Sequence, residues 1–255
     1  MFLKNFSYLT FLCSFFTASV KADFQLPSYL KQCSKKSPDF HRCMLDNEEA
    51  LLPHIIDGNE TLNIPNLNPM FVPKIVVKQG NKQIGLSMEV TDVKIYGMGG
   101  LKINQLDLNM DKKHLKTRIV IPRLEIIGNH KTTGNIMVVK VYGQGKFNIT
   151  AVGVDLEYEN DFDYETKEDG HVYTMLKSQK IKMLNFKRVH YNLENMLGDD
   201  KLDTAVNELL NQYWRELSFD LFGEMQEDLL DIMRTVVNVI LGVYPVDVII
   251  TDYNS

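Results

Sequence analysis

Three sets of residues in this 255-residue chain have types and spacing that could do chemistry: a run of acids, a close pair of cysteines and six histidines. Asp155, Glu157, Glu159, Asp161, Asp163 and Glu165 recur at every second position. A cation needs converging oxygens, whereas a period of two spreads carboxylates ~7 Å apart along one strand face. They read as a wet face. Cys33 and Cys43 would need two further Cys or His to hold a metal, and only His41 and His54 lie near. In an oxidising compartment they pair instead, in a small ring that stabilises by about 3 kcal/mol. The histidines do not cluster, although a triad assembled in space around His130 or His190 stays open. There is no nucleophile elbow, zinc-protease helix, phosphate loop or dinucleotide fingerprint. Gly97-Met98-Gly99-Gly100 and Gly143-Gln144-Gly145 do not sit between a strand and a helix start, as a phosphate cradle requires. They read as turns or bulges. No catalytic residue, metal or cofactor is assigned, and the chain reads as a binder rather than an enzyme.

The positioning elements are legible from periodicity. Opposite the acids, Val154, Leu156, Tyr158, Phe162 and Tyr164 form an apolar row, with Asn160 its one polar intruder. This is a strand with one wet and one buried face. Ile84 to Val90, Leu106 to Met110 and Met137 to Ile149 alternate in the same way. Turn chemistry at Gln79-Gly80-Asn81, Gly97 to Gly100, Gly128-Asn129, Thr133-Gly134-Asn135 and Asp169-Gly170 predicts a long antiparallel meander. A sheet with one apolar face needs a cover. Leu202, Val206, Leu209, Tyr213, Leu217, Leu221, Met225, Leu229, Ile232, Val236 and Ile240 step by three or four and predict a helix from about Asp203 to Gly242. Asp199 and Asp200 cap it, Gly223 is the expected kink, and Pro245 follows the stop. Two N-terminal helical pieces are expected, at Ser28 to Cys33 and Cys43 to Ile56.

Residues 1–22 read as a secretory signal: Lys4, then an apolar stretch from Phe6 to Val20, then Val20-Lys21-Ala22 with small residues at −3 and −1. The apolar stretch is short for a membrane anchor. Its loss removes Lys4 and Lys21 from 28 basic residues against 33 acidic ones, moving the net charge from −5 to −7. That balance argues against nucleic acid and anionic membranes as partners. With no linker or low-complexity tract, residues 23–255 read as one domain. Sequons at Asn59-Glu60-Thr61 and Asn148-Ile149-Thr150 fit secretion, and the second falls on a wet face. Twelve methionines and scattered aromatics remain. They adapt to irregular shapes, as a lipid cavity requires, although most must simply fill a core.

The order of several features resembles the takeout and juvenile-hormone-binding protein family of insects over nearly the whole mature length. The features are Cys33 and Cys43, Leu62-Asn63-Ile64-Pro65-Asn66-Leu67-Asn68-Pro69, Pro122 to Gly128, Gly134 to Gly145, and Leu193 to Leu202 leading to Asn207 and Trp214. The resemblance implies an α+β fold: a long C-terminal helix wrapped by a strongly curved antiparallel sheet, a super-roll enclosing an apolar tunnel. It implies a secreted carrier for a terpenoid or fatty-acid-like ligand in a haemolymph-like fluid. Expected lining residues are Met88, Val90, Leu106, Leu108, Met137, Val139, Leu156, Tyr158, Phe162, Trp214, Phe222 and Met225. His130 stands where the family often has Tyr and is the candidate polar contact. No stable membrane anchor is expected; the carrier is read as a monomer, with a receptor as a possible further partner. The alternative is an interaction protein that kept the fold and filled its tunnel with side chains.

Overall fold

Period-two alternation becomes strand, and spacing by three and four becomes helix, in the order the sequence places them. The structure, a computed structural model, describes residues 23–80, 84–136 and 138–253, so the signal segment and Met137 lie outside the described residues. Helix α1 (Phe40–Ile56) is followed by strands β1 (Met70–Gly80), β2 (Ile84–Tyr96), β3 (Lys102–Asn109), β4 (His114–Ile136), β5 (Val139–Thr166), β6 (Val172–Asn185) and β7 (Arg188–Leu193). Helices α2 (Asp200–Gln212), α3 (Trp214–Val243) and α4 (Val246–Ile249) close the chain. The strands form one antiparallel sheet in the order β1-β2-β4-β5-β6, with β3 on β4 and β7 on β5.

Strands β4 and β5, of 23 and 28 residues, are far longer than the usual five or six. A flat strand of that length would run past any core. Both change face at Pro122 and Gly153, which lie opposite each other between the pairs Ile121↔Val154 and Arg123↔Val152, with the register kept. Pro122 has no N–H to give the ladder, and Gly153 has φ +62°, a conformation open mainly to glycine. The buried side switches parity there. On β4 it passes from Thr117, Ile119 and Ile121 to His130 and Thr132, and on β5 from Phe147 and Ala151 to Val154 and Tyr158. On β2 the step falls at Asp92 (φ +53°), between Val90 and Val93, and Asn129 Nδ2 donates to the Asp92 carboxylate at 3.0 Å. A change of face within each strand, with a bulge on β2, lets the sheet bend sharply and keep its apolar face inside.

Helix α3 shows how far the sheet curls. It packs on β6 and β7 and also on β1, and β1 and β6 are opposite ends of the strand order. One helix reaches both only if the sheet wraps around it. Its outward stripe stays polar and exposed, from Glu216 and Asp220 through Glu227, Asp231 and Asn238. No helix among the described residues is long and apolar enough to cross a membrane.

Several expectations need correction. The helix is not continuous from Asp203: it breaks at Tyr213 (φ −100°, ψ 22°) into α2 and α3. Gly223 lies inside α3, which runs from Trp214 to Val243 without interruption, and has open space around it. Asp199 does cap α2, accepting from Lys201 and Leu202 N–H at 3.0 and 3.1 Å. Ser28 to Cys33 is not helical. Instead Cys33 bridges to the C-terminal segment, its N–H donating to Ile249 O at 2.7 Å and its carbonyl accepting from Thr251 N at 2.9 Å. Helix α1 starts at Phe40, before Cys43. Gly128-Asn129 and Gly143-Gln144-Gly145 are not turns but lie within β4 and β5. The acid face carries more order than solvation alone gives. Lys116 reaches Glu157 and Glu159, Arg118 reaches Asp155, and Lys113 reaches Asp163, so basic residues of and beside β4 meet the acids of β5.

The Cys33–Cys43 bridge is formed, with Cα atoms 5.9 Å apart. It sits in a second, small apolar cluster with Phe40 and Ile250. The N-terminal arm is further held by Asp252, whose carboxylate accepts from Ser34 Oγ and from Lys35 and Lys36 N–H.

Candidate functional site

The candidate site lies between the inner sheet face and α3, because the apolar faces of six strands, β1, β2 and β4 to β7, converge there with that helix. Val90, Tyr158 and Ile181 from the sheet and Leu217 and Leu230 from α3 are buried in one large cluster. Leu221, Phe222, Met225, Ile232, Met233 and Val237 of α3 pack against it only partly buried. The α2 end is filled more completely, with Met196, Leu193 and Leu210 nearly inaccessible.

Of the expected lining residues, Met88, Val90, Leu156, Tyr158, Trp214, Phe222 and Met225 come together in this cluster. Trp214 stands at its rim, between the guanidinium groups of Arg188 (5.4 Å) and Arg215 (5.6 Å). Leu108 belongs instead to the disulfide cluster. Leu106 is buried on β3 opposite Thr117. Phe162 lies edge-on to Tyr164 at 5.5 Å, which in turn meets Tyr253, so it faces the C-terminal segment. Val139 opens β5, and Met137 lies outside the described residues.

His130 is buried and fully engaged. Its Nε2 lies 2.8 Å from the Glu194 carbonyl and its Nδ1 2.9 Å from Thr132 Oγ1. A carbonyl only accepts, so Nε2 carries the proton and Nδ1 accepts from the threonine. Burial holds the ring's pKa below the ordinary histidine value, which keeps it neutral at pH 7. As it stands, the ring has no free nitrogen for a ligand. It anchors the Glu194–Met196 segment, which presses on β5 where only glycine fits. A Cβ at Gly143 would lie 2.0 Å from Asn195 O, and one at Gly145 2.5 Å from Glu194 O.

Other polar groups on the inner wall are also uncharged. Tyr191 Oη meets Ser218 Oγ at 2.7 Å, and that hydroxyl donates to Trp214 O at 2.6 Å. Burial raises the Tyr191 phenol above its usual range and pushes Tyr158 up to about 12. Gln179 Nε2 donates to the Tyr158 hydroxyl. Sequence reasoning marked Asn160 only as an intruder and missed Gln179, since β6 alternates too weakly to show its inner face. It also missed a cleft of about 240 Å³ between α1 and the end of α3, lined by Leu51, His54, Ile55, Ile64, Ile240 and Tyr244 among others. Tyr29 stacks on His54 there at 4.0 Å and meets Tyr244 Oη at 2.9 Å. Its lining comes from four separate segments, so no local pattern announces it.

Among the described residues no group of three or more Cys, His, Asp or Glu is placed to hold a metal ion. Of the sequons, Asn59 is exposed but its side chain caps the Glu60–Leu62 turn, accepting from Leu62 N at 3.1 Å. Asn148 is half-buried on β5 and donates to Glu125 at 2.9 Å.

A family model described as "Haemolymph juvenile hormone binding protein (JHBP)" matches residues 10–251. The crystal structure of Epiphyas postvittana Takeout 1 is similar in fold, with a TM-score of 0.75 at 17% identity, over 85% of this chain and 97% of that one. A crystal structure of lipopolysaccharide binding protein gives a TM-score of 0.38 at 11% identity, over 75% of this chain and 37% of that one. No curated protein sequence matches the chain.

Proposed function

The chain belongs to the haemolymph juvenile hormone binding protein family, and from that premise we propose that it is a secreted carrier holding one small lipophilic molecule, terpenoid or fatty-acid-like, in a tunnel between the inner sheet face and α3. The observation that carries this reading is the inward stripe of α3. Leu221, Phe222, Met225, Ile232, Met233 and Val237 face an apolar cluster yet stay only partly buried. A core packed for stability alone leaves little such surface, whereas a ligand that covers it gains ~25 cal/mol per Å². Several hundred Å² then supports about micromolar binding after association costs. The neutral side chains of the wall favour an uncharged guest. Secretion is supported by the Cys33–Cys43 bridge, a bond of oxidising compartments. The carrier acts as a monomer, delivering its ligand to a receptor.

Solvent extraction of the purified protein followed by mass spectrometry tests the reading. A stoichiometric lipid, or saturable titration of the stripped protein with fatty acids or terpenoids, is expected. Neither a retained lipid nor a saturable titration would replace the carrier with an interaction protein whose tunnel is filled.

A further inference from the structure

The apolar row of β5 is broken at Asn160, and the fold turns that break into a buried polar end-point. Asn160 shares the inward face with Tyr158 and Phe162, is only 6% exposed, and stands in register with Gln179 on β6. Gln179 Nε2 donates to the Tyr158 hydroxyl, and the Asn160 amide also acts on that phenol, opposing the rise that burial gives it. That leaves two carbonyl oxygens, Asn160 Oδ1 and Gln179 Oε1, buried without a hydrogen-bond partner. Each such acceptor costs roughly what a lost hydrogen bond costs, and folded proteins seldom keep two side by side.

We propose that Asn160, Gln179 and Tyr158 form a subsite that receives the hydrogen-bond-donating end of the lipophilic ligand, a hydroxyl or primary amide. The proposal rests on the carrier reading and deepens it. Two idle acceptors on register-paired residues select a donor. A carboxylate there would meet oxygen with oxygen. Arg234 of α3 is the cation whose charge reaches Tyr158, but its guanidinium is held by Asp231 at 2.8 Å. The apolar part of the guest has its place beside the subsite, since Tyr158 belongs to the same cluster as Leu217, Leu230 and Met225.

The test titrates stripped protein with three probes of equal chain: 1-hexadecanol, 1-methoxyhexadecane and hexadecanoate. The alcohol is expected to bind at least about tenfold more tightly than the ether, the value of satisfying one buried acceptor. In the double variant N160L/Q179L the preference disappears while ether affinity holds, and ether binding reports that the variant is folded. Asn160→Leu alone, the milder change, narrows the preference and stands in should the double variant not fold. Equal binding of alcohol and ether by the native protein, tightest binding of hexadecanoate, or a preference surviving in the folded variants overturns the subsite while leaving the carrier intact. Binding of none of the three overturns the carrier reading, and the subsite with it.

Discussion

Single residues here are decided by what surrounds them more than by their type. His130, Asn160 and Glu48 are all polar groups out of place on apolar faces, and each meets a different outcome. His130 is satisfied at both nitrogens, and Asn160 keeps an idle oxygen. Glu48 on α1 retains some exposure, yet its surroundings desolvate the carboxyl enough to push it up to about 7. A carboxyl with a raised folded-state pKa binds its proton more tightly in the native chain than in the unfolded one. Stability from this group is therefore lost as pH rises from about 4.5 to 7, and the loss is complete above that window. Glu48→Gln should match the native protein near pH 4.5 and exceed it increasingly up to about pH 7, with the gap levelling off above that, as read by urea midpoints. A gap independent of pH would show that Glu48 titrates normally. Sequence alone flagged Asn160 because it interrupts an alternation. It had no means of separating His130 from a ligand contact, because Glu194 is 64 positions away.

At the scale of elements, periodicity located strands and helices well and their joints poorly. A row of Val, Leu and Tyr at every second position has one stable arrangement beside an acid row, so β5 was legible. Its length was not. Gly128-Asn129 and Gly143-Gln144-Gly145 have turn composition, but the chain uses those glycines for close contact inside strands. At Gly143 the added methyl of alanine would strike the backbone of Asn195 and Met196, at 2.0 and 2.7 Å, and neither is a flexible side chain. Gly143→Ala should therefore cost about 2–3 kcal/mol, in the range of overpacked cores. Gly85→Ala, where the nearest atom is the Asn135 amide at 3.4 Å, serves as the control and should be near neutral. Equal denaturation midpoints for both variants would mean the Glu194–Met196 segment yields easily. The helix break at Tyr213 was equally hidden, because the apolar stepping passes through it without a change of phase.

The whole molecule is closed by joining its ends. The disulfide fixes the N-terminal arm, and the arm clasps the C-terminal segment through Cys33, Ser34 and Asp252. Removing the bridge with Cys33→Ser and Cys43→Ser should lower stability by about 3 kcal/mol from chain entropy, a fall of roughly 10 °C in melting temperature for a chain of this size. An unchanged melting temperature would mean the clasp holds without the bond. The pairing of the cysteines was legible because, with residues 1–22 read as a signal, Cys33 and Cys43 have no other partner, whereas the clasp joins segments more than two hundred residues apart.

The short strand β7 ends the sheet at the β5 side, and its outer edge is met by α2. Asn207 and Asn211, one turn apart, each pair through the side-chain amide with a backbone N–H and carbonyl, those of Leu193 and Tyr191, at 2.7–2.8 Å. The helix thus offers the strand the same donor and acceptor set that another strand would. A curled sheet rich in apolar residues is exposed to edge-to-edge joining into fibrils wherever an edge strand stays open. Two asparagines on one helix turn make this edge unavailable for such growth, at no cost in sheet hydrogen bonds.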